Sequence, residues 1–328
     1  MLKIGKIERE VKGKRDYLDL SDKSCNPDFR GGEGEDHRCG TFTKQGVCEK
    51  GHHWVRVLYC GKEWCPVCRK PMHNRRIARL YLKVWRMRSF GYLVITIPEE
   101  LRMFFKDKDN LNRLRTYIRR KLKRMFPGSR GIMRWHWFGD RDLFRFNPHL
   151  NVMIEALEYI SPEGLEVLKE DYKAFLERLT GVSLGSKKVD IYYQYYTQKN
   201  LGEGRYKAKR FHILKYITRP TFLINPEYDR ELRELAKVLK GYRTTTIWGR
   251  WEELSEEELE RAAFEWEGAV LREMDETGDR RIYDRFLLHS GICPICRTKI
   301  RWLKGVSSGG IPRAGEDFGD GFYLVRGV

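Results

Sequence analysis

The chain has 328 residues, 41% hydrophobic and 13% aromatic, enough to bury one large core or two smaller ones. Its net charge of +18 favours a polyanionic partner, nucleic acid first, and decides nothing about fold. The longest apolar run, Leu93–Ile97, is far too short to span a bilayer, and the start Met1-Leu-Lys-Ile-Gly-Lys6 lacks the apolar core of a secretion signal, so the expectation is a cytoplasmic protein with no membrane partner.

Residues 1–38 show little pattern, and Gly31-Gly-Glu-Gly-Glu-Asp36 reads as a flexible linker. Residues 39–90 combine a cysteine cluster with a basic amphipathic helix over 72–88, whose charged face carries Arg75, Arg76 and Arg79. Residues 91–222 form the central domain. A strand at Tyr92–Ile97 ends at Pro98. A second basic helix, Leu111–Phe126, turns Leu111, Leu114, Ile118, Leu122 and Met125 inward and Arg119 and Arg120 outward. Strands Ile132–Phe138 and Phe146–Ala156 flank the polar loop Gly139–Arg145. A helix over Pro162–Leu179, a strand over Val189–Thr197 and a short helix over Lys209–Thr218 follow. Residues 223–328 read as a C-terminal helical region: helices Glu227–Leu239 and Ser255–Met274, a strand Tyr242–Trp248, a hairpin at Cys293-Pro-Ile-Cys296 and a loosely specified Gly-rich tail from Gly305. The order predicts an α+β fold: a mostly antiparallel sheet with helices on one face, plus zinc-binding N-terminal and C-terminal elements.

Eight cysteines in a cytoplasmic chain point to metal rather than disulfides. Cys65-Pro-Val-Cys68 and Cys293-Pro-Ile-Cys296 are two tight turns of the kind that supply half a structural zinc site. With Cys39, Cys48, Cys60 and His52 (or its neighbour His53) they make eight ligands, enough for one or two zinc ions, and leave Cys25 over. Spacing alone leaves the pairing open. One option joins Cys293 and Cys296 to upstream cysteines. Only three glutamines beside abundant Lys, Arg and Glu suggest a thermophilic source.

The segment Asn147-Pro-His-Leu-Asn-Val-Met-Ile154 sets a histidine and an asparagine two residues apart in an apolar run. Side chains alternate along a strand, so His149 and Asn151 share one face and can offer a nitrogen and an oxygen to Mg²⁺ or Mn²⁺. Asp140 is the preferred third ligand and His136 the second choice, both from the preceding hairpin. Tyr216, with His212 one turn earlier and Arg219 three residues later, is the candidate nucleophile. Tyr193, Tyr196 and Tyr206 compete with it. The run Tyr192–Tyr196 with Lys207, Lys209 and Arg210 mixes rings with cations, as a strand-binding surface does, and Tyr193 and Tyr195 are the rings assigned to DNA.

Together these segments resemble the HUH endonuclease superfamily, and within it the rolling-circle replication initiators of archaeal plasmids and viruses. The matching segments are Tyr92-Leu-Val-Ile-Thr-Ile97, Pro148-His-Leu-Asn-Val-Met153 and Lys215-Tyr-Ile-Thr-Arg-Pro220, with Leu239–Gly249 resembling a stretch beyond the tyrosine. Related transposases share the Tyr-x-x-Arg-Pro pattern and a cysteine cluster like Cys60–Cys68. The resemblance covers roughly residues 39 to 300. It implies a metal-dependent nickase that cuts and rejoins single-stranded origin DNA through a 5′-phosphotyrosine link, with host replication proteins as further partners. Asn151 stands where a second histidine is usual, and no second tyrosine lies one turn from Tyr216, which implies a single-tyrosine mechanism. A transposase or relaxase of the same chemistry, and a non-catalytic zinc-bearing DNA-binding regulator, are the alternatives.

Overall fold

The computed structural model describes residues 43–58, 63, 65, 69–139, 142–222, 226, 229–273, 281–303 and 315–325. The 1–38 segment with its linker, and Cys25, Cys39, Cys60, Cys68 and Asp140, lie outside the described residues. In chain order the elements are β1 Thr43–Cys48, β2 His53–Val57, α1 Arg69–Val84, β3 Ser89–Thr96, a 3-10 helix Glu99–Lys106, α2 Lys108–Met125, β4 Gly131–Phe138, β5 Phe146–Ile154, α3 Pro162–Thr180 and β6 Ile191–Thr197. After a single turn at Gln198–Leu201 come α4 Glu203–Thr218, α5 Arg230–Val238, β7 Thr245–Trp248, α6 Glu256–Glu273, α7 Ile282–Ser290, β8 Ile300–Trp302, β9 Gly315–Gly319 and β10 Phe322–Val325.

Two compact units result. One takes Leu80–Thr221 and Asp229–Glu253, and the other takes the described residues of Met1–Arg79, Phe222–Tyr228 and Leu254–Val328. Each holds a five-stranded antiparallel sheet: β6-β3-β5-β4-β7 in the first, β8-β1-β2-β10-β9 in the second. Asp229–Glu253, which the sequence groups with the C-terminal region, belongs to the first because β7 pairs with β4. Gly131 makes that pairing possible. A Cβ there would stand 2.3 Å from the Trp248 ring, so only a glycine lets the indole lie flat across the strand.

In the larger unit every residue of β4 and the last seven of β5 are buried. Strands buried on both sides need cover on both sides. The helices therefore do not sit on one face, as the element order suggests. α2 turns Leu111, Leu114, Ile118 and Leu122 inward and stacks Tyr117 on Phe175 of α3, with ring centroids 3.9 Å apart. Arg115 of α2 lies over Tyr242, which rests on Trp137, so α2 covers the side opposite to His136. α4 lies on the His136 side, where Ile217 O meets the His136 ring. Local chemistry places the helix ends. Asp107 accepts from Asp109 N and Asn110 N at the start of α2, and Ser161 accepts from Gly164 N just before Pro162 opens α3.

α4 starts six residues before the Lys209 boundary expected from sequence. Gly204 inside a helix costs about 1 kcal/mol. Tyr206 offsets it: the ring packs on Phe90, and its hydroxyl donates to Met87 O at 2.8 Å. The tail also departs from expectation, since β9 and β10 form a hairpin that pairs with β2. Its signal was Gly319-Asp-Gly321 before the alternating Phe322 and Leu324, both buried.

Candidate functional site

In the smaller unit the ligand atoms of Cys48, His52, Cys293 and Cys296 all lie within 4.8 Å of one another. Cys48 closes β1, the turn Glu49-Lys-Gly51 reverses the chain, and His52 precedes β2. Cys293 and Cys296 lie in a knuckle between α7 and β8, closed by Cys293 N donating to Thr298 O at 2.9 Å. Pairing of β8 with β1 brings the two halves together. Cys48 Sγ stands 3.3 Å from His52 Nδ1 and 3.4 Å from Cys296 Sγ, and Cys293 Sγ stands 3.7 Å from His52 Nδ1. A tetrahedral ion with bonds of about 2.3 Å to sulfur and about 2.0 Å to nitrogen spaces its ligands roughly 3.5–3.8 Å apart. The four residues can hold a metal ion, and three sulfurs with one imidazole suit zinc. Burial pushes the Cys293 thiol up to about 11. Burial opposes ionisation of Cys296 too, but bonds with Thr298 and Cys48 bring it down to about 6, a thiolate ready for a cation. His52, not His53, enters the cluster. Cys65 is buried and lies outside this set of four, and its carbonyl accepts from Arg69 N at 3.0 Å.

In the larger unit, cross-strand register aligns Thr96, His149 and His136 in one row and Val94, Asn151 and Arg134 in the next, all on the α4 side. The His136 and His149 rings are 5.4 Å apart and nearly perpendicular. His136 Nε2 lies 2.9 Å from Ile217 O; a carbonyl only accepts, so Nε2 carries the proton and Nδ1 the lone pair. That Nδ1 accepts from Asn151 Nδ2 at 3.0 Å and from Arg219 Nε at 3.1 Å. Burial, then the charges of Arg219 and His149, hold His136 well below the usual histidine range, so it is neutral. With its amide nitrogen turned to His136, Asn151 offers Oδ1 to Tyr92, whose hydroxyl donates at 2.7 Å. His149 Nδ1 donates to Asn147 O at 2.8 Å.

α4 carries Tyr216 to this network. Its half-buried ring stands 5.6 Å from His136, and the Arg219 guanidinium lies 4.5 Å over it. Arg134 holds the end of the helix in position. Only 1% exposed, it donates to Arg219 O at 3.3 Å and to the hydroxyls of Thr244 and Thr245 at 2.6 and 2.7 Å. A cation at a helix C-terminus is favoured by the macrodipole, which helps offset the burial of its charge. His212 sits one turn before Tyr216 and is half-buried.

No family model, curated protein or solved structure matches the chain.

The residues assigned to a divalent cation do not fit it as they stand. Asn151 Oδ1 is taken by Tyr92, both nitrogens of His136 are engaged, and Asp140 lies outside the described residues. Tyr206, a competing nucleophile, is 2% exposed and bonded to backbone. Arg210, assigned to DNA, is buried and donates to Trp85 O and Met87 O; it is a structural brace. Tyr193 and Tyr195 point away from His149: Tyr193 Oη accepts from Ile160 N at 3.2 Å and Tyr195 Oη donates to Ala156 O at 3.1 Å. Of the other cations assigned to DNA, Lys207 pairs with Glu203 at 2.6 Å and Lys209 lies 5.5 Å over the Tyr196 ring. Arg119 and Arg120 sit on α2, on the sheet side opposite His149. In the smaller unit Arg76 pairs with Glu63 at 2.5 Å, Arg79 is exposed, and Arg75 is brought down to about 10 by burial and by nearby Arg79 and Arg56. Among the described residues no helix is long and apolar enough to cross a membrane.

Sequence reasoning missed Tyr92 and Arg134. Tyr92 carried a readable signal, since it shares the strand parity of the His149 face. Arg134 stood out as a lone charge in the apolar run Ile132-Met-Arg-Trp135.

Proposed function

We propose that the chain cuts and rejoins single-stranded DNA by transesterification through Tyr216, in the manner of an HUH-type rolling-circle replication initiator. The observation that carries the reading is the grouping of the Tyr216 phenol with the Arg219 guanidinium and the His136 ring, beside the His149 row. A phenol is a weak nucleophile near neutral pH, and an adjacent fixed cation stabilises its phenolate. The same cation attracts a phosphodiester. Tyr216 Oη forms the bond to phosphorus, the bond from phosphorus to O3′ breaks, and the products are a 5′-phosphotyrosine ester and a free 3′-hydroxyl. His149, whose Nδ1 is fixed on Asn147 O, is the base: it takes the proton of Tyr216 Oη and returns it to O3′ as that bond breaks. His136 positions Arg219 and Asn151 without touching substrate. In the smaller unit, structural zinc at Cys48, His52, Cys293 and Cys296 ties the two ends of the described chain into one sheet.

The test uses a random-sequence oligonucleotide pool labelled at its 3′ end, with and without Mn²⁺, on a denaturing gel. The expected result is a protein-linked labelled band in the native chain and none in Tyr216→Phe, which still binds the pool. A band that survives in Tyr216→Phe, or no band in the native chain under either condition, overturns the reading. The second outcome with DNA binding intact would leave a zinc-bearing DNA-binding regulator.

A further inference from the structure

A nickase needs a grip on unpaired bases, and the tyrosine-rich edge strand offers rings on two opposite faces. We propose that Tyr192 and Tyr196 of β6, rather than Tyr193 and Tyr195, form a base-stacking platform for single-stranded DNA beside the His149 cluster. The proposal rests on the strand-transfer reading of that cluster.

Register carries the assignment. Tyr192 pairs with Val94, and Val94 pairs with Asn151, so Tyr192 faces the same side as Asn151 and His149. Gln194 and Tyr196 share its parity. β6 is an edge strand, which leaves a flank open for an incoming chain. Tyr192 is 45% exposed. Its ring meets Tyr92 edge to face at 6.2 Å, and Tyr92 in turn donates to Asn151. A line of side chains thus runs from Tyr192 through Tyr92, Asn151 and His136 to Arg219 and Tyr216.

Tyr196 is held in place for the same task. Phe90 backs its ring at 5.1 Å, its hydroxyl bonds Gln194 Oε1, and Lys209 lies 5.5 Å above it. Four residues along a strand separate the two tyrosines by roughly 13 Å, room for a separate base on each. The charge around them suits a phosphate backbone: exposed Lys199 and Arg205 flank the strand end, on a chain of net charge +18. The odd-numbered rings serve packing. Tyr159 stands 5.5 Å from Tyr193 and 6.2 Å from Tyr195, and both hydroxyls bond backbone.

Fluorescence anisotropy with an oligothymidylate and an abasic oligonucleotide of equal length tests the platform in the full chain. Stacking on a ring strengthens binding about five- to 150-fold per base, so two rings together exceed tenfold. The native chain and the Tyr192→Phe/Tyr196→Phe pair are expected to prefer the base-bearing strand. Tyr192→Ala/Tyr196→Ala is expected to lose that preference at least tenfold while binding the abasic strand as before. A double alanine variant that keeps the native preference overturns the proposal, as does a native chain with no preference. Adduct formation on the same samples separates the two ideas. A native chain that discriminates bases through these rings but forms no adduct keeps the platform and discards the nickase. An adduct through Tyr216 with base preference intact in the alanine variant does the reverse.

Discussion

The two sheets solve one problem with different means. Each has five antiparallel strands, and each closes an edge by laying a tryptophan on a glycine: Trp248 on Gly131 in the larger unit, Trp302 on Gly46 in the smaller. The larger sheet is buried through the whole of β4 and most of β5, so it has a core of its own that needs no metal. The smaller sheet uses strands of three to six residues, and its described core is a cluster built around Trp54, Phe318 and Phe322 that includes two of the metal-site thiols, Cys48 and Cys293. Strands that short bury little, so an ion held by Cys48, His52, Cys293 and Cys296 would do what a core does elsewhere. Metal should be the support of one unit and immaterial to the other.

The sharpest way to break that contrast is to remove the metal. Structural zinc in small modules contributes on the order of 10 kcal/mol. With a strong chelator, or with Cys293→Ser, amides of β1, β2 and β8 should lose their protection from hydrogen exchange while those of β4 and β5 keep theirs. Equal loss in both units, or a purified protein with no bound metal, would remove the distinction.

A smaller effect probes the shared device. Gly131→Ala places a methyl 2.3 Å from a buried indole, and overpacking of that kind costs about 1–3 kcal/mol. Gly46→Ala meets Trp302 at 2.7 Å, but this ring is half-buried and can give way, so its urea midpoint should fall less. The reverse order would mean that the smaller edge is the tighter one.

The smallest effect is a titration. Asp320 accepts from His289 at 2.8 Å and from Asn74 at 3.2 Å, tying the β9–β10 turn to α7 and α1. Burial pushes its carboxyl up, yet His289, Arg285 and Asn74 hold it below its ordinary 3.8. A carboxyl lowered by folding stabilises fully above its unfolded value, and that contribution is lost as pH falls through the folded one. The smaller unit should therefore weaken as pH drops below about 4, and Asp320→Asn should flatten that limb of the urea midpoint against pH. Asparagine also tolerates the positive φ of 49° at this turn. An unchanged acid limb in the variant would assign it to other carboxylates.

Much of the larger unit was legible in one dimension. Alternation in Asn147–Ile154 puts His149 and Asn151 on one face, and heptad-like spacing turns Leu111, Leu114, Ile118 and Leu122 inward, as observed. Spacing could not reveal that Asn151 spends its oxygen on Tyr92, or that His136 uses both nitrogens on Ile217, Asn151 and Arg219. Ligand-type residues look alike in sequence whether they bind a cation or one another. The same limit explains Arg210, a surface residue by composition and a buried brace by contact.

Period, then, determined from the chain alone where strands alternate and which helix faces are apolar, because those patterns span only a few residues. Only the tertiary structure decided which cysteines share a centre with His52, which side of β6 faces His149 and which tautomer His136 adopts. Each depends on distances between residues far apart in the chain, set by strand register and packing.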